Sequence, residues 1–391
     1  MSQLKLNDTE IALAYKSDSE LKQSYLLFKM MSYPSLVKWG SKMAMLAFKL
    51  RLPIKYLVKN TIYKQFCGGE TIEESLKVIH KLGEFNIKTI LDYGVEGKSN
   101  EDEFDKSAQH LIETLEYAIQ EKDIHIISSK QTGLFRSKLL EKITAGGKLT
   151  EKEQAEYERG KQRIWTICEA AHKAGIYVHI DAEESWLQGA IDDLVWELSA
   201  EFNKGVPTVI NALQMYRTDR LDFMKRSLEH ARENGYLCAV KLVRGAYMEK
   251  ERRRAEDKGY PSPIWNTIEE THKSYNDGLE YGLDHIDEMY LSNATHNEDS
   301  CELLSKMMAE KNIPNNHPRI VTAQLIGMSD NISFVMANAG YNVEKYVPYG
   351  PVKHVVPYLI RRTQENTSVG GQMSRELKMI HTEMKRRKML K

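Results

Sequence analysis

The stretch IYVHIDAEESWLQGAIDDLVWELSAEFNKGVPTVINALQ, residues 176–214, reads as strand, helix, strand. IYVHIDAE is a short run rich in β-branched residues that ends in acids, and SWLQGAIDDLVWELSAEF carries apolar residues at helical spacing. Gly205 and Pro207 punctuate the turn into PTVINALQ. The same unit recurs along the chain. Eight such runs follow one another: TILDYGV (89–95), IHIISSK (124–130), IYVHIDAE (176–183), PTVINALQ (207–214), LCAVKLVRGAY (237–247), EMYLSNATH (288–296), PRIVTAQL (318–325) and YNVEKYVPYG (341–350). Helix-like stretches such as DRLDFMKRSLEHAREN separate them. Eight alternating units in about 280 residues point to an α/β fold of the (β/α)8 TIM-barrel type, with an open doubly wound sheet as the alternative.

The pattern sets the domain layout. Residues 21–69 hold nine Lys or Arg and no acid, with apolar residues at helical spacing, so two or three amphipathic helices are expected to pack there with lysines outward. This gives an N-terminal helical arm over 1–85, a barrel over 86–370 and a basic tail over 371–391. ETIEESLKVIHKLGEFNI (70–87) is a helix with acids in its first turn, leading into the first strand. Residues 141–161 look like a charged surface hairpin in which Thr150 and Glu153 form a capping box. The acidic stretch 96–121 reads as a solvated helix face.

Composition narrows the partners. The 391 residues carry 55 Lys plus Arg against 55 Asp plus Glu, and this neutrality argues against bulk attraction to nucleic acid. No apolar run reaches the length of a transmembrane helix, and the N-terminus has no signal-peptide core, so cytoplasm is the default expectation. Cys67, Cys168, Cys238 and Cys301 lie far apart with no CxxC, which fits inert thiols better than a disulfide frame or a metal site. GVEGKS (94–99) has two residues between its glycines where a phosphate loop needs four, and no GxGxxG occurs.

A barrel gathers its chemistry at the C-terminal ends of its strands. Here those ends hold Asp92, Glu96, Lys130, Asp181, Gln214, Arg244, Thr295, His296, Gln324 and Tyr346, a polar cup of mixed charge. Lys130 admits two chemistries, a Schiff base as in aldolases or a point charge for an anion. Arg361 and Arg362, after the eighth strand, could converge on one carboxylate, or could be a solvated pair on a surface helix.

Taken in order, the motifs LDYGVEG (91–97), the Lys130 strand, DAEESW (181–186), LQMYR (213–217), KLVRGAYMEKER (241–252), NATHNE (293–298), AQLIGM (323–328), KYVPYGPV (345–352) and YLIRRTQEN (358–366) resemble the flavin-dependent proline dehydrogenase family in its monofunctional form. The resemblance runs over nearly the whole barrel. It implies a distorted (β/α)8 barrel that binds FAD, and oxidation of L-proline to 1-pyrroline-5-carboxylate by hydride transfer to flavin N5, with electrons passed to a quinone. It implies that Lys130, Arg361 and Arg362 hold the substrate carboxylate, that Asp181 organises the arginine clamp and the flavin side of the pocket, and that Leu325, Tyr346 and Tyr358 pack on the substrate ring while Tyr247 lines the site.

The same resemblance assigns Ala182, Gln214, Arg244, Gly245, Ala246, Thr295, His296 and Glu365 to the flavin, and pairs Glu96 with Arg361 as an ion-pair gate. Lys241 stands where many bacterial members carry an Arg near flavin N5, which keeps the charge and loses the planar fork. In hydroxyproline-oxidising relatives the position of Tyr346 is a Ser, so a Tyr implies proline over 4-hydroxyproline. Oxidation of the product is expected on a separate chain, by a pyrroline-5-carboxylate dehydrogenase. The acid-free N-terminal segment and the tail HTEMKRRKMLK (381–391) are candidates for contact with the inner face of a membrane carrying anionic lipid.

Overall fold

The computed structural model describes residues 4–50, 52–93, 100–356, 358–360 and 372–390. Eight parallel strands close into a barrel in sequence order: β1 (Ile87–Tyr93), β2 (Ile124–Lys130), β3 (Tyr177–Asp181), β4 (Val209–Gln214), β5 (Cys238–Val243), β6 (Met289–Ala294), β7 (Ile320–Leu325) and β8 (Val343–Tyr349). The open-sheet alternative is thereby removed. Each strand falls on its expected run, but most end before the run does. IYVHIDAE stops being strand at Asp181 and LCAVKLVRGAY at Val243, so Ala182 to Glu183 and Arg244 to Tyr247 lie beyond the ladder. Contacts group the chain into two units, Met1–Val95 with Gln324–Lys391, and Glu96–Ala323.

In the unit Glu96–Ala323, β4 is buried along its whole length, as a strand covered on both faces must be. The helices between strands have conventional ends. Thr150 and Glu153 form the expected capping box of helix Glu151–Ala174, which stops at Gly175 in the left-handed region. The expected surface hairpin is instead a helical hairpin, Ser137–Thr144 followed by Glu151–Ala174, joined by Arg136–Glu156 and Lys142–Glu153 ion pairs. Its Gly160 is buried in the helix because a Cβ there would meet the Phe135 ring at 2.4 Å. The acids of helix Glu101–Gln120 are exposed or half-buried, in line with the expected solvated face, and some have partners: Glu101 pairs with Arg159 and Arg163, and Asp105 with Arg163.

In the other unit, β1 and β8 pair from Ile87 with Val343 through Tyr93 with Tyr349. The stretch expected as a basic tail folds into helix Gln372–Arg386 and packs on helix Asp18–Met31. Two of its cations are engaged: Arg386 and Arg387 both bind the buried Glu383, and Arg387 also reaches the carbonyls of Leu13 and Lys16.

Helix Pro34–Lys49 departs from expectation in the opposite sense. Among its described side chains, Ala47 is buried and Val37, Ser41 and Ala44 are half-buried. Leu36, Trp39, Met43, Leu46 and Leu50 form an outward stripe, Trp39 being 68% exposed. Tyr56 and Leu57, farther along, are exposed as well. All four cysteines are free and buried, and burial pushes their thiols up, away from the reactive thiolate.

Candidate active site

In the unit Glu96–Ala323, strand alternation aims Ser128 and Lys130 to one face of β2, and His179 and Asp181 to one face of β3. Lys130 and Asp181 are partners in register. Lys241, on β5, donates to Asp181 Oδ1 at 2.6 Å and points its Nζ at His179 Nδ1, 3.4 Å away; Ser128 Oγ donates to Asp181 Oδ2 at 2.8 Å. Burial opposes ionisation of Asp181, yet the charges of Lys241 and Lys130 and the two hydrogen bonds outweigh it and hold its pKa at about 2. Burial and the neighbouring ammonium push His179 well below its usual range. A neutral imidazole therefore faces the lysine. Asp181 and Lys241, both expected from sequence, thus form one buried ion pair.

Glu183 is the functional candidate that sequence reasoning missed. Its Oε1 accepts from Thr132 N and Oγ1 at 3.2 and 2.8 Å, and its carbonyl accepts from Gln214 Nε2 at 2.7 Å. Gln214 Oε1 in turn accepts from Ala246 N at 2.9 Å, and Tyr247 Oη lies 3.4 Å from Glu183 Oε2. The carboxyl therefore ties together the loops after β2, β3 and β5, and the carbonyl of the same residue ties in the end of β4. Burial, aided by Glu184, pushes its pKa up to about 7 against the opposing bonds from Thr132. DAEESW shows three acids, and only the long-range partner Thr132 singles out Glu183. Glu251, fully buried, was likewise missed; it accepts from Ser185 N and Oγ at 2.6 Å each.

Beyond β5 the backbone opens. Gly245 and Ala246 are exposed, and Gly245 sits at φ 146°, where a Cβ would lie 2.4 Å from the Tyr216 ring. The glycine is required by that ring, a reason the sequence did not offer. Arg244 stacks on Tyr275 and donates to His272 Nδ1 at 2.8 Å, to Thr295 Oγ1 and to Ser300 Oγ at 2.9 Å. Burial lowers its pKa. None of these three acceptors is a carboxylate, so the guanidinium is suited to an anionic ligand beside the open Gly245–Ala246 backbone. That donor set fits the diphosphate of a dinucleotide cofactor. His296, half-buried, follows Thr295 at the end of β6, and Ala182, half-buried, follows β3.

In the other unit, Leu325 closes β7 and Tyr346 lies on β8, both half-buried, and Ile326 N donates to the Tyr346 carbonyl at 2.9 Å. Gln324 is buried and accepts from Ser333 Oγ; Asp92 and Tyr358 are buried. Glu96, Arg361, Arg362 and Glu365 lie outside the described residues.

Three kinds of comparison bear on this geometry. A family model described as Proline dehydrogenase matches residues 75–375. Proline dehydrogenase 1, mitochondrial, of Dictyostelium discoideum is 32% identical over 97% of this chain and 74% of that protein. Hydroxyproline dehydrogenase of Xenopus laevis is 31% identical over 95% of this chain and 88% of that protein. Among solved structures, proline utilization A (PutA) of Bdellovibrio bacteriovorus, inactivated by N-propargylglycine, superposes with a TM-score of 0.74 at 21% identity. That match covers 93% of this chain and 38% of the PutA chain, and at this identity it speaks for the fold alone.

Proposed function

The chain belongs to the proline dehydrogenase family, and from that premise we propose that it oxidises L-proline to 1-pyrroline-5-carboxylate with FAD as cofactor and a quinone as onward electron acceptor. The observation that carries the cofactor assignment is the Arg244 guanidinium, bonded to uncharged acceptors beside the exposed Gly245–Ala246 backbone. Arg244, Gly245, Ala246, Gln214, Ala182, Thr295, His296 and Glu365 would hold the flavin. A bound flavin would supply the two-electron redox chemistry needed to dehydrogenate the ring carbon next to the amine.

The chain's own residues supply binding and orientation. Lys130, Arg361 and Arg362 hold the substrate carboxylate by charge-assisted hydrogen bonds, each contributing about 1.5–3 kcal/mol. Leu325, Tyr346 and Tyr358 pack on the apolar ring, and Tyr247 lines the site. Asp181 fixes the direction of Lys241. Glu96 and Arg361 act as the gate that excludes water. No strong base is required of the protein when the amine arrives unprotonated.

Proline is favoured over 4-hydroxyproline because the bulk of Tyr346 occupies the space a ring hydroxyl needs. The relatives do not decide this, since one is described as a hydroxyproline dehydrogenase at nearly the same identity. The product would pass to a pyrroline-5-carboxylate dehydrogenase. A lipid-soluble acceptor also calls for peripheral membrane contact. The outward stripe of helix Pro34–Lys49, within a segment of nine Lys or Arg and no acid, supports an anionic bilayer as its partner better than the C-terminal helix does, because Arg386 and Arg387 are already paired. Among the described residues no helix is long and apolar enough to cross a membrane.

The test is direct. Purified protein should be yellow, and anaerobic L-proline should bleach the flavin bands; Arg361→Met with Arg362→Met should abolish bleaching while leaving the cofactor bound. A colourless protein that borohydride links covalently to a carbonyl substrate through Lys130 would establish the aldolase reading instead.

A further inference from the structure

The turn between β7 and helix Asp330–Asn338 is held at every residue from outside itself. Lys345 Nζ donates to the Leu325 carbonyl at 3.3 Å, to the Met328 carbonyl at 2.6 Å and to Asp330 Oδ1 at 3.0 Å. Ile326 N donates to the Tyr346 carbonyl, and Gln65 Nε2 donates to the Gly327 carbonyl at 2.8 Å. Glu376 Oε1 accepts from Ser329 N at 2.6 Å, and Tyr15 Oη donates to Asp330 Oδ2 at 2.6 Å. Two residues of the turn are in the left-handed region, Gly327 at φ 78° and Ser329 at φ 50°. The turn thus takes a shape it would not choose alone, and its partners come from the N-terminal segment, from β8 and from the C-terminal helix.

The grip is built from charges buried at a cost. Lys345 is fully buried, and Asp330, Glu376 and Lys16 are nearly so. Buried ion networks add little net stability compared with apolar packing, so a network of this size is better explained by the geometry it enforces. That geometry belongs to two residues. Lys345 fixes the carbonyl of Leu325 and is the chain neighbour of Tyr346, whose own carbonyl is tied to Ile326.

We propose that Lys345, Glu376 and Tyr15 are positioning residues for proline recognition: through the 325–330 turn they set where Leu325 and Tyr346 stand against the substrate ring. This rests on the reading that those two side chains meet that ring. The chain's two terminal segments are then part of the specificity apparatus, although neither carries a residue that touches substrate.

Steady-state kinetics on the flavin-loaded enzyme test it, with L-proline and 4-hydroxyproline as substrates and the flavin spectrum and thermal midpoint recorded for each variant. Glu376→Ala should raise KM for proline about tenfold and Tyr15→Phe about threefold, with kcat within about twofold of wild type and an altered preference between the two substrates. Glu376→Gln, which keeps an acceptor for Ser329 N, should return KM toward wild type. A lower thermal midpoint with KM and substrate preference unmoved would mean a structural role only and would overturn the proposal. Should Glu376→Ala fail to fold, Tyr15→Phe, which loses a single hydroxyl, decides by the same criterion. Wild-type enzyme inactive on proline would refute the proposed function itself, whereas active wild type with unmoved variants refutes only the positioning role.

Discussion

Asp181 and Lys241 meet at 2.6 Å across the intervening strand β4, one at the end of β3 and the other within β5. Both are largely shielded from water, so each is the other's main compensation for lost hydration. Lys241→Met should leave an uncompensated carboxylate and cost about 3–5 kcal/mol of stability, measured by urea unfolding. Lys241→Arg should retain most of that stability. The sign with pH follows from the Asp181 pKa of about 2: its contribution is present above the ordinary aspartate range near pH 4 and disappears as pH falls toward 2. A wild-type unfolding free energy unchanged between pH 5 and 2, relative to Asp181→Asn, would contradict this.

Glu183 gives a second pH dependence of opposite origin. Its pKa is raised to about 7, so it ionises within the working range and only then accepts fully from Thr132 and Tyr247. The profile of kcat/KM should rise through an inflection near pH 7, and Glu183→Gln should remove that inflection while retaining part of the activity. Two superimposable profiles would exclude Glu183 from the site. For stability the sign reverses: a carboxyl raised on folding favours the native state at low pH, and that favour is lost as pH rises from the usual glutamate range to about 7.

Gly245→Ala is a test of backbone shape. The new Cβ would stand 2.4 Å from the Tyr216 ring at φ 146°, so either the ring or the loop must move. We expect purified Gly245→Ala to lose most of its flavin, read as the ratio of visible to ultraviolet absorbance. Full occupancy would show that the loop after β5 does not cradle the cofactor.

The apolar stripe on helix Pro34–Lys49 can be tested without reference to catalysis. Replacing Leu36, Trp39 and Leu46 together by Ser should abolish co-sedimentation with vesicles of anionic lipid, because each buried side chain of this kind is worth about 1.5–3 kcal/mol. Deleting residues 387–391 should leave vesicle binding nearly unchanged. Equal binding of the triple variant would refute the lipid contact.

The barrel was legible in the sequence because a buried parallel strand is a short apolar run whatever surrounds it, and eight of them were spaced by helix-length segments. The strand-end residues Lys130, Asp181, Gln214 and Arg244 could be picked out for the same reason. Residues that depend on distant partners could not. Glu183 looks like its neighbours until Thr132 is set beside it, and Lys345 looks like a strand lysine until three acceptors of the 325–330 turn surround it. Helix Pro34–Lys49 misled in another way: its periodicity was correct, but Leu36, Trp39, Met43 and Leu46 face outward.

Ser329 receives its acceptor from Glu376, and the carbonyls of Leu13 and Lys16 receive their donor from Arg387, so the turn after β7 and the residues ahead of helix Asp18–Met31 depend on the same C-terminal segment. Strands β2 through β6 pair in sequence order and need no residue of helix Gln372–Arg386 to do so. The turn after β7 has to wait. That turn is therefore the last part of its unit to take its final shape, once helix Gln372–Arg386 has docked and supplied the acceptor for Ser329.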